Sequence, residues 1–138
     1  MKQVLQIVFL FAAASLFSQV SISKISSAET VTFVAATSGC FNAGTNTYKF
    51  VKQKNGDRKV SCTIDKVSST KKISLKNYDA FVKRFEGSAK RFSDPDEKQM
   101  CTTVSDFEMN SKNGVSKFKN ITCEPQFDPE TYLRQLLK

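Results

Sequence analysis

The sequence contains no histidine and no tryptophan among its 138 residues. Histidine is the side chain that most often acts as a general base or binds a metal near neutral pH. Its absence excludes Ser-His-Asp and Cys-His catalysis, histidine-ligated zinc or haem, and pH switching by histidine. The sequence also has no CxxC pair, the usual zinc-binding and redox motif. We therefore predict no catalytic residue, no metal and no cofactor from motifs.

Proline and glycine are also scarce, with three and five residues, whereas hydrophobic residues make up 40% of the chain and phenylalanine occurs twelve times. This composition argues against a disordered chain, because it supplies enough apolar surface for a core. The length allows one domain and leaves no room for two sizeable cores. We therefore expect a single compact domain.

The N-terminus has the pattern of a secretory signal peptide. An apolar run covers Val4–Ala14 and is short for a membrane span, although an N-terminal anchor is the alternative. Small residues precede a cleavage point between Ala28 and Glu29. We therefore predict a cleaved signal peptide at residues 1–28, a domain at residues 29–138, and export to a periplasm or to the outside of the cell.

Four cysteines follow this leader, at Cys40, Cys62, Cys101 and Cys123. An even number of cysteines in a small exported chain is typical of disulfides. The pairs Cys40–Cys62 and Cys101–Cys123 have the same separation of 22 residues. We predict these two disulfides, each closing its own hairpin, while a cross-link between the two units is the main alternative.

Each cysteine interval encloses one Asn-Gly pair, Asn55-Gly56 or Asn113-Gly114. Asn-Gly between strand-like runs indicates a two-residue hairpin turn, since both residues tolerate positive φ. In the first hairpin such a turn would place Lys52 opposite Lys59. A leading strand is predicted at residues 30–36, where apolar side chains alternate.

A helix is predicted after each hairpin. The first begins after Ser74, a suitable N-cap, and has apolar residues at helical spacing, although Gly87 could break it. The second begins with Asp128 as cap and Pro129 at the first helical position. Hairpin and helix thus occur twice, over residues 40–92 and 101–138, which suggests an internal duplication or a coincidence.

Two hairpins and two helices cannot bury their apolar faces separately. The economical arrangement is a small α+β domain with two layers, in which helices pack on one face of an antiparallel sheet. This sheet would contain the N-terminal strand and the two disulfide-stapled hairpins.

The net charge is +8, and removing residues 1–28 would leave 19 basic and 13 acidic side chains, a charge of +6. Basic residues concentrate on the first hairpin, and the candidate binding residues are Lys49, Lys52, Lys54, Arg58 and Lys59. Only Asp57 opposes them there. This pattern predicts an anion-binding patch, with an ordinary solvated surface as the alternative.

Three function classes follow from these features. The first is a non-catalytic binding module that recognises another protein, as an inhibitor or effector does. The second is a module that uses the basic hairpin to bind an anionic envelope polymer or lipid headgroups. The third is a small hydrolase that uses carboxylates or a Ser-Lys pair. Nucleic acid is an unlikely partner because the sequence contains no nucleic-acid-binding motif. The sequence does not indicate an oligomeric state.

Overall fold

The computed structural model describes residues 20–39, 43–64, 66–93, 101–122 and 124–138. These residues form a small α+β domain with one six-stranded antiparallel sheet and three α-helices. The strands are β1 (Thr30–Ser38), β2 (Gly44–Lys52), β3 (Arg58–Ile64), β4 (Val67–Ile73), β5 (Val104–Ser111) and β6 (Gly114–Asn120). The helices are α1 (Ile22–Ser26), α2 (Leu75–Arg91) and α3 (Pro129–Leu136), with a 3-10 turn at Pro125–Phe127. The predicted α+β class is confirmed.

The strand order in the sheet is β4-β3-β2-β1-β5-β6. Strand β1 therefore lies between the two hairpins and pairs with β2 on one side and β5 on the other. The helices contact the same face of the sheet, since Phe33 packs against Phe81 of α2, Tyr48 bonds to Glu130 of α3, and Arg58 reaches α1. We call this the inner face.

Alternating burial of β1 builds the core of the domain. Val31, Phe33 and Ala35 point to the inner face and are at most 2% exposed, as the alternation of side chains along a strand requires. The ring of Phe33 lies 5.1 Å from that of Phe81 and 5.7 Å from that of Tyr48, measured between ring centroids. Aromatic side chains from both layers thus meet at the central strand.

Both predicted helices are present. The Ser74 side chain caps α2 by accepting a hydrogen bond from the backbone N–H of Asn77 at 3.2 Å. The helix continues through Gly87 to Arg91, so the break considered there does not occur. Asp128 caps α3 by accepting from the backbone N–H groups of the two residues after Pro129.

Strand β4 was not predicted from the sequence. Six of its seven residues are exposed, and its sequence VSSTKKI lacks the apolar alternation that marks a half-buried strand. It nevertheless pairs with β3 along its whole length. The first hairpin-helix unit therefore contains a third strand that the second unit lacks.

The predicted two-residue turn of the first hairpin is wrong by one residue in register. In the first hairpin Lys52 pairs with Arg58, and Lys59 pairs with Val51. The loop between them is closed by the backbone N–H of Gln53, which donates to the Asp57 carbonyl at 2.8 Å. Because side chains alternate, this shift puts Lys52 and Lys59 on opposite faces of the sheet.

The second hairpin is displaced by two residues in register, since Ser111 pairs with Gly114, whereas an Asn113-Gly114 turn would pair Ser111 with Ser116. Its turn is therefore formed by Lys112 and Asn113, and Gly114 begins β6. The φ angle of Gly114 is 142°, a value that residues with a Cβ rarely adopt. The Asn-Gly pair thus located the hairpin correctly but not the turn residues.

The predicted disulfide Cys40–Cys62 is wrong, because Cys62 is a free thiol. Its side chain is buried, with the sulfur 3.0 Å from the Ser69 hydroxyl oxygen. Among the described residues no two cysteines are joined. Cys101 is buried and is not a free thiol, but Cys123 lies outside the described residues, so Cys101–Cys123 stays a prediction.

Residues 20–28, which the sequence pattern assigns to the leader, pack as part of the domain. Ile25 of α1 is fully buried and Ala28 is 3% exposed. A Cβ on Gly114 would lie 3.0 Å from the Cβ of Val20, so this segment lies close against β6. The cleavage point before Glu29 stays a prediction. Among the helices that the structure describes, none is both long and apolar enough to cross a membrane.

Candidate functional site

The fold separates the five basic residues that the sequence placed in one patch. Lys49 and Lys59 lie on the face of the sheet away from the helices, which we call the outer face. Lys52 and Arg58 form a pair on the inner side, and Lys54 lies in the loop. All four lysines are exposed, whereas Arg58 is 3% exposed.

Arg58 is occupied by backbone carbonyl groups. Its Nη1 donates to the carbonyl oxygen of Ala28 at 2.8 Å and to that of Glu29 at 3.2 Å. Its Nη2 donates to the Ser26 carbonyl oxygen at 3.0 Å. The guanidinium also lies over the ring of Tyr78, 4.4 Å from its centroid. Arg58 therefore joins the sheet to the N-terminal segment and is not exposed to a partner.

Three exposed lysines converge on the outer face of β2, β3 and β4. Lys59 is directly opposite Lys72, and Lys49 is opposite Ser61 on the neighbouring strand. Directly opposed side chains have Cβ atoms about 5 Å apart, and diagonal ones lie about 7–8 Å apart. Among the described residues no carboxylate forms an ion pair with any of the three. We call this set the basic outer face.

Hydroxyl groups lie between these lysines on the same face. Ser61 and Thr70 are register partners, and Thr47 is two residues from Lys49 on β2. Alternation along the strands puts all three side chains on the outer face. The surface thus combines positive charge with groups that can both donate and accept hydrogen bonds.

The other half of the outer face is electrically balanced. Lys117 lies 2.9 Å from a carboxylate oxygen of Glu108, and Lys119 lies 3.5 Å from one of Asp106. Hydrogen bonds from Lys117 and then Asn110 hold the pKa of Glu108 below its usual range. On the outer face, unpaired positive charge among the described residues is therefore confined to the β2-β3-β4 half.

Four more exposed lysines border this half of the sheet, at Lys52, Lys54, Lys66 and Lys71. Lys66, Lys71 and Lys72 were not among the predicted binding residues, because β4 was not predicted from the sequence. The available signal was the Lys71-Lys72 pair itself, which follows a run of hydroxyl residues. Only the strand register shows that Lys72 and Lys59 are neighbours.

A second polar cluster is buried between β2 and α3. Glu130, 8% exposed, accepts through Oε1 from Tyr48 Oη at 2.7 Å, Asn46 Nδ2 at 2.9 Å and Arg134 Nε at 2.9 Å. Burial and the hydrogen bond to Glu130 raise the pKa of Tyr48 above its ordinary range. Because all three side chains donate hydrogen bonds to the one Glu130 carboxylate, we interpret the cluster as the contact that fixes α3 to β2.

No metal-binding constellation appears in the part of the chain that the structure describes, where no three Cys, Asp or Glu side chains lie close enough to hold an ion. The described geometry therefore offers surface charge and hydroxyl groups as its main candidate for recognition. No protein-family model matches the chain, and no curated protein is significantly similar to it in sequence.

Proposed function

We propose that this protein is an exported, non-catalytic binding module whose basic outer face holds an anionic polymer. The observation that carries the proposal is the set Lys49, Lys59 and Lys72, three unpaired lysines on one exposed sheet face with hydroxyl residues between them. This is the second of the function classes that the sequence suggests, relocated from the hairpin tip to a sheet face.

The arrangement is unfavourable for the isolated protein. Like charges directly opposite each other destabilise a strand pair, and Lys59 and Lys72 are such a pair. A negative group between the two ammonium groups would turn this repulsion into attraction. Since neighbouring strands are about 4.8 Å apart, several lysines could contact successive charges of one chain.

A polymer fits this face better than a membrane surface does. Membrane binding by a protein surface usually combines basic residues with large apolar side chains that enter the lipid. The apolar side chains nearest these lysines on the outer face, Val34, Ala36 and Val51, are small or branched and half-buried. Electrostatic attraction and hydrogen bonds are thus the available forces, and both suit a charged, hydroxyl-rich polymer.

The test is a titration of the full chain with heparin and with polyphosphate, using neutral dextran as a control. We expect binding to both anionic polymers, no binding to dextran, and a steep loss of affinity as salt rises. The variant Lys59→Glu with Lys72→Glu should bind at least about tenfold more weakly. Lys24→Glu with Lys138→Glu changes the net charge equally at other exposed positions and should retain most of the affinity.

Three outcomes would contradict the proposal. The first is equal loss of affinity in both charge-reversal variants, which would indicate net charge alone. The second is binding that does not respond to salt. The third is binding of anionic vesicles or of a protein that depends on Lys59 and Lys72, without binding of either polymer. That result would favour a lipid or protein partner.

A further inference from the structure

A cleft lies between α2 and the C-terminal segment, in a part of the molecule that the proposed function does not use. Its volume is about 440 Å³, and it opens broadly to solvent. The residues that matter for its chemistry are Lys83, Arg84, Gly87, Ser88, Phe127 and Tyr132. We call it the α2–α3 cleft.

Arg84 is held in position at the wall of this cleft. Its Nη1 donates to the backbone carbonyl of Gln126 at 2.8 Å, and its guanidinium carbon lies 5.2 Å from the centroid of the Tyr132 ring. A guanidinium has five N–H donors. Neither Arg84 nor Lys83 forms an ion pair with any carboxylate that the structure describes. The cleft therefore presents two cations with free hydrogen-bonding capacity.

Gly87 opens space in the same cleft. It lies well inside α2, where glycine is less favourable than alanine. A Cβ at this position would meet no atom within 4 Å, so packing among the described residues does not require glycine. The absent side chain leaves room beside Arg84, one helical turn away.

Ser88 adds an unsatisfied polar group next to this space. Its side chain is 1% exposed, and its hydroxyl has no hydrogen-bond partner among the residues that the structure describes. A buried hydroxyl without a partner is unfavourable. The rings of Phe127 and Tyr132 complete the lining with apolar surface.

We propose that the α2–α3 cleft binds a small organic carboxylate with an apolar body. Arg84 and Lys83 hold the carboxylate, since a guanidinium fork matches the two carboxylate oxygens. The apolar body lies over Gly87 and against the rings of Phe127 and Tyr132. This site is separate from the basic outer face, and neither proposal depends on the other.

The experiment uses the full chain and 4-phenylbutyrate as the probe, with 4-phenylbutanol as its uncharged counterpart. Binding is followed by NMR through the amide signal of Gly87. We expect a saturable shift with the carboxylate and a response at least about tenfold weaker with the alcohol. Equal binding of the two compounds, or no shift at Gly87, would overturn the proposal.

Gly87→Ala separates ligand binding from fold stability. The methyl group should raise the thermal midpoint, because alanine is the better helix former, yet weaken probe binding at least about fivefold by occupying the cleft. Binding by this variant as strong as in the original chain would contradict the proposal.

Lys83→Gln and Arg84→Gln test the cations, and each should weaken binding of 4-phenylbutyrate by about tenfold. Arg84→Gln also removes the hydrogen bond to the Gln126 carbonyl and could disturb the local structure. Lys83→Gln lacks this side effect and tests the binding of the carboxylate by itself. Lys138→Gln removes the same charge at an exposed position that does not line the cleft and serves as the matched control. Unchanged affinity in Lys83→Gln, or an equal loss in Lys138→Gln, would contradict the assignment of the carboxylate to this cleft.

Discussion

Arg58 and Tyr78 both donate hydrogen bonds to the carbonyl oxygen of Ser26, at 3.0 and 2.9 Å, while the guanidinium lies over the tyrosine ring. One backbone oxygen thus joins strand β3, helix α2 and the N-terminal helix α1. Because Ser26 carries the contact through its backbone, its side chain gives no hint of it. These contacts explain why Arg58, a basic residue of the first hairpin, is buried.

Replacing Arg58 by methionine should lower the free energy of unfolding by about 2–4 kcal/mol. The substitution keeps apolar contact with Tyr78 but removes the Arg58 donor from the carbonyl groups of Ala28 and Ser26, of which Ser26 keeps only the Tyr78 hydroxyl. Urea unfolding measures the effect, and Lys59→Met at the neighbouring exposed position should change stability by less than about 0.5 kcal/mol. Equal stability of the two variants would refute the role given to Arg58.

A chain that begins at Glu29 should be much less stable than one that begins at Val20. The shorter chain loses the fully buried side chain of Ile25 and the carbonyl partners of Arg58. Loss of the Ile25 contacts alone should cost about 2–5 kcal/mol. Thermal unfolding of the two chains measures the difference. A shorter chain that is as stable as the longer one would contradict this expectation.

Removing the Glu130 carboxylate should loosen the attachment of α3. Glu130→Ala leaves the buried hydroxyl of Tyr48 without its acceptor, at a cost of about 1–3 kcal/mol. Adding Tyr48→Phe should recover part of this loss, because the orphaned hydroxyl is then gone. Gln135→Ala on the exposed side of α3 is the control for helix propensity. Additive effects of the first two substitutions would show that the pair is not coupled.

Alkaline pH should destabilise the protein through Tyr78. Burial raises the pKa of Tyr78 from 10.0 to about 12, so the folded state holds this proton more tightly than the unfolded state does. The resulting stability is fully present below pH 10 and is lost as the pH rises towards 12. Thermal midpoints measured across this window should fall less steeply for Tyr78→Phe than for the original chain. Identical pH dependence in both would contradict the assignment.

Cys62 should react with thiol reagents slowly in the folded protein and rapidly in denaturant without reductant. Its side chain is 4% exposed and its thiol is free, and reaction of a thiol requires access to the thiolate. Peptide mapping without reduction should recover Cys62 unlinked. A peptide that joins Cys40 to Cys62 would show instead that the original pairing prediction was right.

Elements with strong local signals were predictable from sequence. Ser74 and Asp128 cap their helices as expected, because an N-cap needs only a side-chain oxygen near the first backbone N–H groups. The alternation of β1 likewise specifies which side chains are buried. These features depend on neighbours within a few residues.

Features that depend on distant partners were not predictable. Strand β4 gains its structure from pairing with β3, since its own sequence is polar and exposed. Lys59 and Lys72 are close together only because of that strand register. The α2–α3 cleft likewise forms only because of the way α3 packs against α2. The equal spacing of the cysteines suggested a Cys40–Cys62 disulfide. In the structure the Cys62 thiol is free and lies beside the Ser69 hydroxyl instead.

The central position of β1 has a consequence for the order in which the chain can fold. Val31 pairs with Phe50 and also with Ser111, which lies eighty residues further along the chain. Contacts between such distant residues slow folding, because a large loop must close before they form. The first strand cannot acquire its second neighbour until nearly the whole chain is present. If the chain is exported as proposed, it would stay incompletely folded inside the membrane pore and would complete its sheet only on the far side.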